Sequence, residues 1–347
     1  MVMRICLVGG IAAGFQPVFA QEFMSHPSGR EILTVSNGFN YLGLRLHPSP
    51  IAEAQVLSVT SGSAVVEVGV DVVSLLVSGT PFIFEVDSGS AVGSVVKIDA
   101  FDLSTGTVTL SEDLSAGLGA DDWFTIRPSA TLASVFGADN SAGLDEGAGG
   151  PGGADQIYLP VQGGGFLKYY YYNDPFFGAT GWKDIETGVT VDPHQVAIFY
   201  PDGLLINGGG VANNSFAVAG TLKLSQTNYT LTSGFNYLSS VFPTGSTLAS
   251  MFGVDNSAGL NHGNGGTGGA DQVWLPDGLG GFERYYYDHF AVPTFIEAWV
   301  MYSSGGLPQI VDPSSVDFDA ASGFIILKSG GNNGLIPAAP PSFYNSL

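Results

Sequence analysis

The chain has 347 residues, enough for two or three ordinary domains, and its 45% hydrophobic content excludes a disordered polymer. Charged residues make up only 12% while Gly numbers 50, which points away from long surface helices and toward short strands joined by tight turns. A net charge of −21 repels nucleic acid and anionic lipid and attracts divalent cations.

Residues 1–20 read as a secretory signal peptide. Arg4 supplies the n-region charge, Ile5 to Phe15 the apolar h-region, and Val18-Phe19-Ala20 a small-residue cleavage site. Cleavage after Ala20 is expected, giving a secreted or outer-cell-surface protein, with the periplasm as a further compartment. No later run reaches 18 apolar residues, so no helical membrane span is expected. Cys6 is the single cysteine and falls in the h-region, so the mature chain carries no disulfide.

An internal repeat dominates the rest. Thr131–Pro160 and Thr247–Pro276 are identical at 22 of 30 positions, and "SNGFNYLGL" (Ser36–Leu44) answers "TSGFNYLSS" (Thr232–Ser240). The two offsets differ by 80 residues, which marks an insertion in the first copy. The expected organisation is a first β-unit of residues 21–48 plus 129–220 and an inserted antiparallel β-subdomain at 49–128. A second β-unit follows at 221–336, and a Pro-rich extended tail at 337–347. The fold class is mainly β, with two tandem related sandwich-like or barrel-like units. Within the insertion, "PFIFEVDSG", "GTVTLSEDL" and "DDWFTIRP" read as strands. "STLASMFG" is the one expected short helix, with Ser246 as its N-cap and Gly253 at its end.

The strand "GFNYLGLRLHP", the insertion, then "TLASVFG", "ADQIYLP", "GGGFLKYYYY" and "GW" follow in an order that resembles an uncharacterised family of secreted paralogous proteins from Verrucomicrobia-type bacteria. The resemblance covers nearly the whole mature chain and rests on motif order rather than a catalytic signature. It implies secretion and β-architecture and no activity. The second unit departs from it by lacking the insertion and by "EAW" in place of "TGW".

Catalytic signatures are sparse. The sequence has no P-loop, no strand-linked G-x-G-x-x-G, no H-E-x-x-H, no C-x-x-C and no G-x-S-x-G. His26, His47, His194, His262 and His289 are scattered without ligand spacing and read as surface or edge residues. The Gly-rich loops Asp139–Gln156 and Asp255–Gln272 read as structural turns first and calcium sites second. Asp139, Asp145, Glu146, Asp155, Asp255 and Asp271 are the candidate oxygen ligands, with the first loop the stronger. No other cofactor is expected. The tyrosine runs Tyr169–Tyr172 and Tyr285–Tyr287 read first as cross-strand ladders. Tyr169, Tyr171, Tyr285 and Tyr287 are the candidates for stacking on sugars. Two functions follow: a structural or adhesive surface protein that self-associates into homo-oligomers or a surface polymer, and a secreted polysaccharide-binding or carbohydrate-active protein.

Overall fold

The computed structural model describes residues 26–346 apart from 162–163, 177, 211–213, 279–280, 292–295, 303–307, 319–322 and 331–333. The signal-peptide segment lies outside the described residues. Strands dominate; the α-helices among the described residues, Val70–Val73, Leu132–Phe136 and Leu248–Phe252, have four or five residues each. None of them is long and apolar enough to cross a membrane.

The first unit is a five-stranded antiparallel sheet ordered Thr180–Asp184, Phe166–Asn173, Gln156–Pro160, Leu204–Gly208, Gly38–Leu42. A two-stranded ribbon, Ser28–Val35 with Asn214–Thr221, accompanies it. The second unit pairs its corresponding strands in the same order: Ile296–Tyr302, Phe282–Ala291, Gln272–Pro276, Gly323–Lys328, Gly234–Ser239. Its ribbon is Thr227–Leu231 with Gly334–Ala338, and Gln309–Ile310 adds an edge strand.

Side-chain bonds repeat along with the strand order. Asn40 Nδ2 donates to the carbonyls of Ser36, Gly38 and Ile206, and Asn236 does the same to Thr232, Gly234 and Ile326. Trp182 Nε1 donates to Gly137 O at 2.9 Å and Trp299 Nε1 to Gly253 O at 3.0 Å. The tryptophan is thus the part of "TGW" and "EAW" that the fold needs. Both five-residue helices open on a capping box, Thr131 with Ser134 and Thr247 with Ser250. The cap is therefore Thr247 rather than Ser246, because Thr247 is the last extended residue before the turn; Gly253 does end the helix, at φ 84°.

Alternation fills two cores. Ile157 and Leu159 point inward beside Trp182 and Phe136, and Val273 and Leu275 point inward beside Trp299 and Phe252. The chain's end is not a free tail: Ala338 pairs with Thr227, and Tyr344 is buried in the second core against Phe242.

The units meet through reciprocal contacts. Tyr41 and Tyr237 stack at 5.8 Å, flanked by Tyr41–Phe282 at 5.6 Å and Phe166–Tyr237 at 4.9 Å. A Cβ on Gly203 would lie 2.6 Å from Leu238 O, and one on Gly323 would lie 2.8 Å from Leu42 O. Each of these contacts made by one unit is thus returned by the matching residue of the other, as across a two-fold axis.

The insertion is a seven-stranded antiparallel sheet ordered Ala52–Gln55, Trp123–Pro128, Phe82–Val86, Val95–Asp102, Thr107–Leu110, Val65–Glu67, Ser58–Val59. Phe84, Val86, Phe124 and Ile126 build its own core. It nevertheless docks on the second unit, where Asn228 N donates to Gly93 O at 2.7 Å and Ile83 joins the second core.

Candidate functional site

The repeated loops fold across the outer side of the tyrosine strands. Gly147 N donates to Tyr171 O at 2.9 Å and Gly263 N to Tyr287 O at 2.7 Å. A Cβ at Gly147 would lie 2.2 Å from Gly150 O and 2.8 Å from the Tyr170 ring; at Gly263 it would lie 2.2 Å from Gly266 O and 3.0 Å from Tyr286. Only glycine permits so close an approach.

The loop aspartates divide by role. Asp155 is buried and accepts from Asp145 N at 2.9 Å, Gly209 N at 3.0 Å and Asn214 Nδ2 at 3.1 Å. Asp271, also buried, accepts from Asn261 N, Ser329 N and Lys328 Nζ at 2.8–2.9 Å. Donors that already occupy these carboxylates tie the first loop to the end of Leu204–Gly208 and the second to the end of Gly323–Lys328. Asp139 and Asp255 are exposed, and Asp139 closes a local turn onto Ser141 N. Asp145 is half-buried, while the exposed Glu146 accepts from Asn173 Nδ2 at 2.6 Å. Among the described residues, no three His, Cys, Asp or Glu side chains form a group able to hold a metal ion.

The tyrosine expectation needs correction. Tyr169, Tyr171, Tyr285 and Tyr287 are 6%, 7%, 3% and 7% exposed and lie in the two cores. Tyr171 packs on Trp182 and Tyr287 on Trp299. Their register aligns them with the inward Ile157 and Val273, so they offer no face to a sugar. Tyr170 and Tyr286, on the opposite side, lie beneath the Gly-rich loops.

The accessible rings are elsewhere. Phe39 is 63% exposed and meets Tyr158 edge-on at 6.1 Å; its counterpart Phe235 is 50% exposed and meets Trp274 at 5.4 Å. Each pair carries a cation, Lys168 Nζ at 5.9 Å from the Tyr158 ring and Arg284 at 4.3 Å from Trp274. Each has its polar tip held by the same neighbour: Tyr158 OH donates to Gln156 at 2.9 Å, and Trp274 Nε1 to Gln272 at 3.1 Å. Arg284 Nε has no hydrogen-bond partner among the described residues. The signal was present in "QIYLP" and "QVWLP", where the third residue alternates against two apolar ones.

A cleft of about 390 Å³ opens where the insertion meets the 222–225 linker between the units. At its floor Glu85 is buried, with Oε1 2.7 Å from Arg127 Nε and 2.9 Å from Tyr200 OH, and Oε2 3.2 Å from Arg127 Nη2 and 3.0 Å from Lys223 Nζ. Burial pushes its carboxyl up, but Lys223 and Arg127 hold it down at about 2. His47, expected at the surface, is buried against Tyr200 with ring centroids 4.3 Å apart; burial first, then Arg127, hold it down at about 3. Wrapped by four bonds, Glu85 anchors the linker and is not free for acid–base work. Asp87 above it accepts from Thr125 Oγ1 at 2.6 Å, and burial raises its carboxyl. Trp123, half exposed, lines the wall.

Comparison with protein-family models, curated proteins and solved structures gives no match.

Proposed function

We propose that this is a non-catalytic adhesive β-protein, working outside the cytoplasm, that holds polysaccharide through two equivalent aromatic patches. The carrying observation is that duplication has preserved, on the accessible sheet faces, Phe39 with Tyr158 and Lys168 beside Phe235 with Trp274 and Arg284. Aromatic faces with a nearby cation and amide suit the apolar faces and hydroxyls of sugars. Two copies on one chain suit a ligand that itself repeats, because the second contact becomes intramolecular. A strongly acidic surface is compatible with neutral glycans and unfavourable to nucleic acid.

Sedimentation with insoluble polysaccharides of differing linkage tests the reading. Burial of a phenyl side chain is worth about 1.5–3 kcal/mol. Phe39→Ala or Phe235→Ala should therefore each weaken retention roughly tenfold or more, and the double variant should lose it almost entirely. A second reading, self-association through the same rings, draws on the exposed phenyl groups themselves. Concentration-dependent assembly abolished by the double variant, with no retention on any polysaccharide, would replace the first reading by the second.

A further inference from the structure

The two Gly-rich loops share their main turn bonds, and at one spot contacting positions have changed together. In the first loop Glu146 Oε2 accepts from Asn173 Nδ2 at 2.6 Å. The corresponding residues of the second are His262 and His289, whose ring centroids lie 3.5 Å apart. The neighbouring Thr180 corresponds to Glu297, and Glu297 Oε1 lies 2.7 Å from His289 Nδ1. The backbone beneath is unaltered: Asn173 N donates to Gly147 O at 3.1 Å and His289 N to Gly263 O at 3.2 Å.

We propose that His262 and His289 form a site for a divalent transition-metal ion, with Nε2 of each imidazole as ligand; at 3.5 Å the rings are in face contact, so binding turns them apart until both lone pairs reach one ion. His262 Nδ1 lies 3.3 Å from Gly263 O, and a carbonyl only accepts, so the proton belongs on Nδ1 and the lone pair on Nε2. Beside His289 Nδ1 the Glu297 carboxylate makes an ion-pair contact rather than an aligned hydrogen bond, and it favours the proton on that nitrogen too. A carbonyl or carboxylate behind Nδ1 is the usual support for a metal-binding imidazole, because it fixes the tautomer and raises the basicity of Nε2. Asp288 is occupied, its Oδ1 accepting from Gly265 N at 2.8 Å and Phe290 N at 2.9 Å.

With two protein ligands, water completes the coordination shell, so binding is moderate and exchangeable. Imidazole nitrogen selects copper(II), nickel(II) and zinc(II) over calcium and magnesium, and copper(II) should bind more tightly than zinc(II). The net charge of −21 raises the local cation concentration. The first loop, with a carboxylate and an amide at these positions, has no such site, so the expected stoichiometry is one ion per chain.

Calorimetric titration of untagged, chelator-treated full chain with copper(II), zinc(II) and calcium chlorides tests the proposal. One equivalent of copper and of zinc is expected, and His262→Gln or His289→Asn should each weaken binding at least tenfold. Long-range proton–nitrogen NMR on the unmutated protein, which needs no variant to fold, should show zinc shifting the Nε2 resonances of these two histidines alone. Absence of a stoichiometric zinc or copper event, unchanged affinity in the double variant, or zinc shifts on His26 or His194 instead would each overturn it.

Discussion

Glu85→Gln is the substitution for which the structure makes the sharpest forecast. Glutamine keeps the shape but removes the one counter-charge that, among the described residues, lies within hydrogen-bond reach of Arg127 and Lys223. These cations are 4% and 1% exposed, so water cannot take over. Breaking a buried ion pair from one side costs about 3–5 kcal/mol, and here two cations are left facing a neutral amide. Urea unfolding followed by tryptophan fluorescence and circular dichroism should show a loss of that order. The loss should appear in the transition that reports Trp123, the insertion's own tryptophan. Adding Lys223→Met removes one of the stranded charges, so the double variant should be more stable than Glu85→Gln alone by at least ~1 kcal/mol. A single-variant loss below about 1 kcal/mol would refute the reasoning. So would a double variant that is less stable still.

Gly147→Ala should destabilise by about 1–3 kcal/mol in thermal melts, because its Cβ meets Gly150 O and the Tyr170 ring. Gly152→Ala, with open space at the same loop, should change little. Asp202 sits at the seam between the units, where burial raises its carboxyl to about 7. A raised carboxyl gives its full stability below about pH 4 and loses it as pH climbs through 7. Asp202→Asn should therefore match the unmutated protein in urea unfolding near pH 4 and exceed it in stability at pH 8, by on the order of 4 kcal/mol.

The strand-rich architecture was legible in the sequence, because few charges and many glycines leave short strands joined by tight turns as the way to bury its apolar residues. Sequence alone misplaced the tyrosines for a physical reason. A run of four like residues, Tyr169–Tyr172, has no alternation, so its facing is set only by the partner strand, where Tyr169 meets Ile157. Thr247 and Ser246 are equally good caps by type, and only the backbone separates them. The Glu85–Lys223 bond spans 138 positions and joins the insertion to the linker between the units, so no spacing rule reaches it. His262 and His289 lie on a loop and a strand whose contact depends on the glycine-lined approach at Gly263. The outward rings were legible in principle, since Tyr158 and Trp274 break the apolar run at every second place.

The ribbon of the first unit has a consequence for how the chain folds. Ser28 pairs with Thr221, so the earliest described strand finds its partner only after nearly the whole first unit and the insertion have been made. Until then Ser28–Val35 is an open edge with Ile32 outward, able to pair with whatever strand it meets. The insertion's pairings are all internal to it, so it is able to fold first and draw its two ends together. By the logarithmic rule for loop closure, shortening the remaining loop in this way saves only about 0.5 kcal/mol. Closure of the ribbon therefore stays a long-range event, and such topologies fold slowly, in milliseconds to seconds. The interval before that closure is when the chain is most exposed to mispairing with its own second unit, whose ribbon strand Thr227–Leu231 plays the matching part.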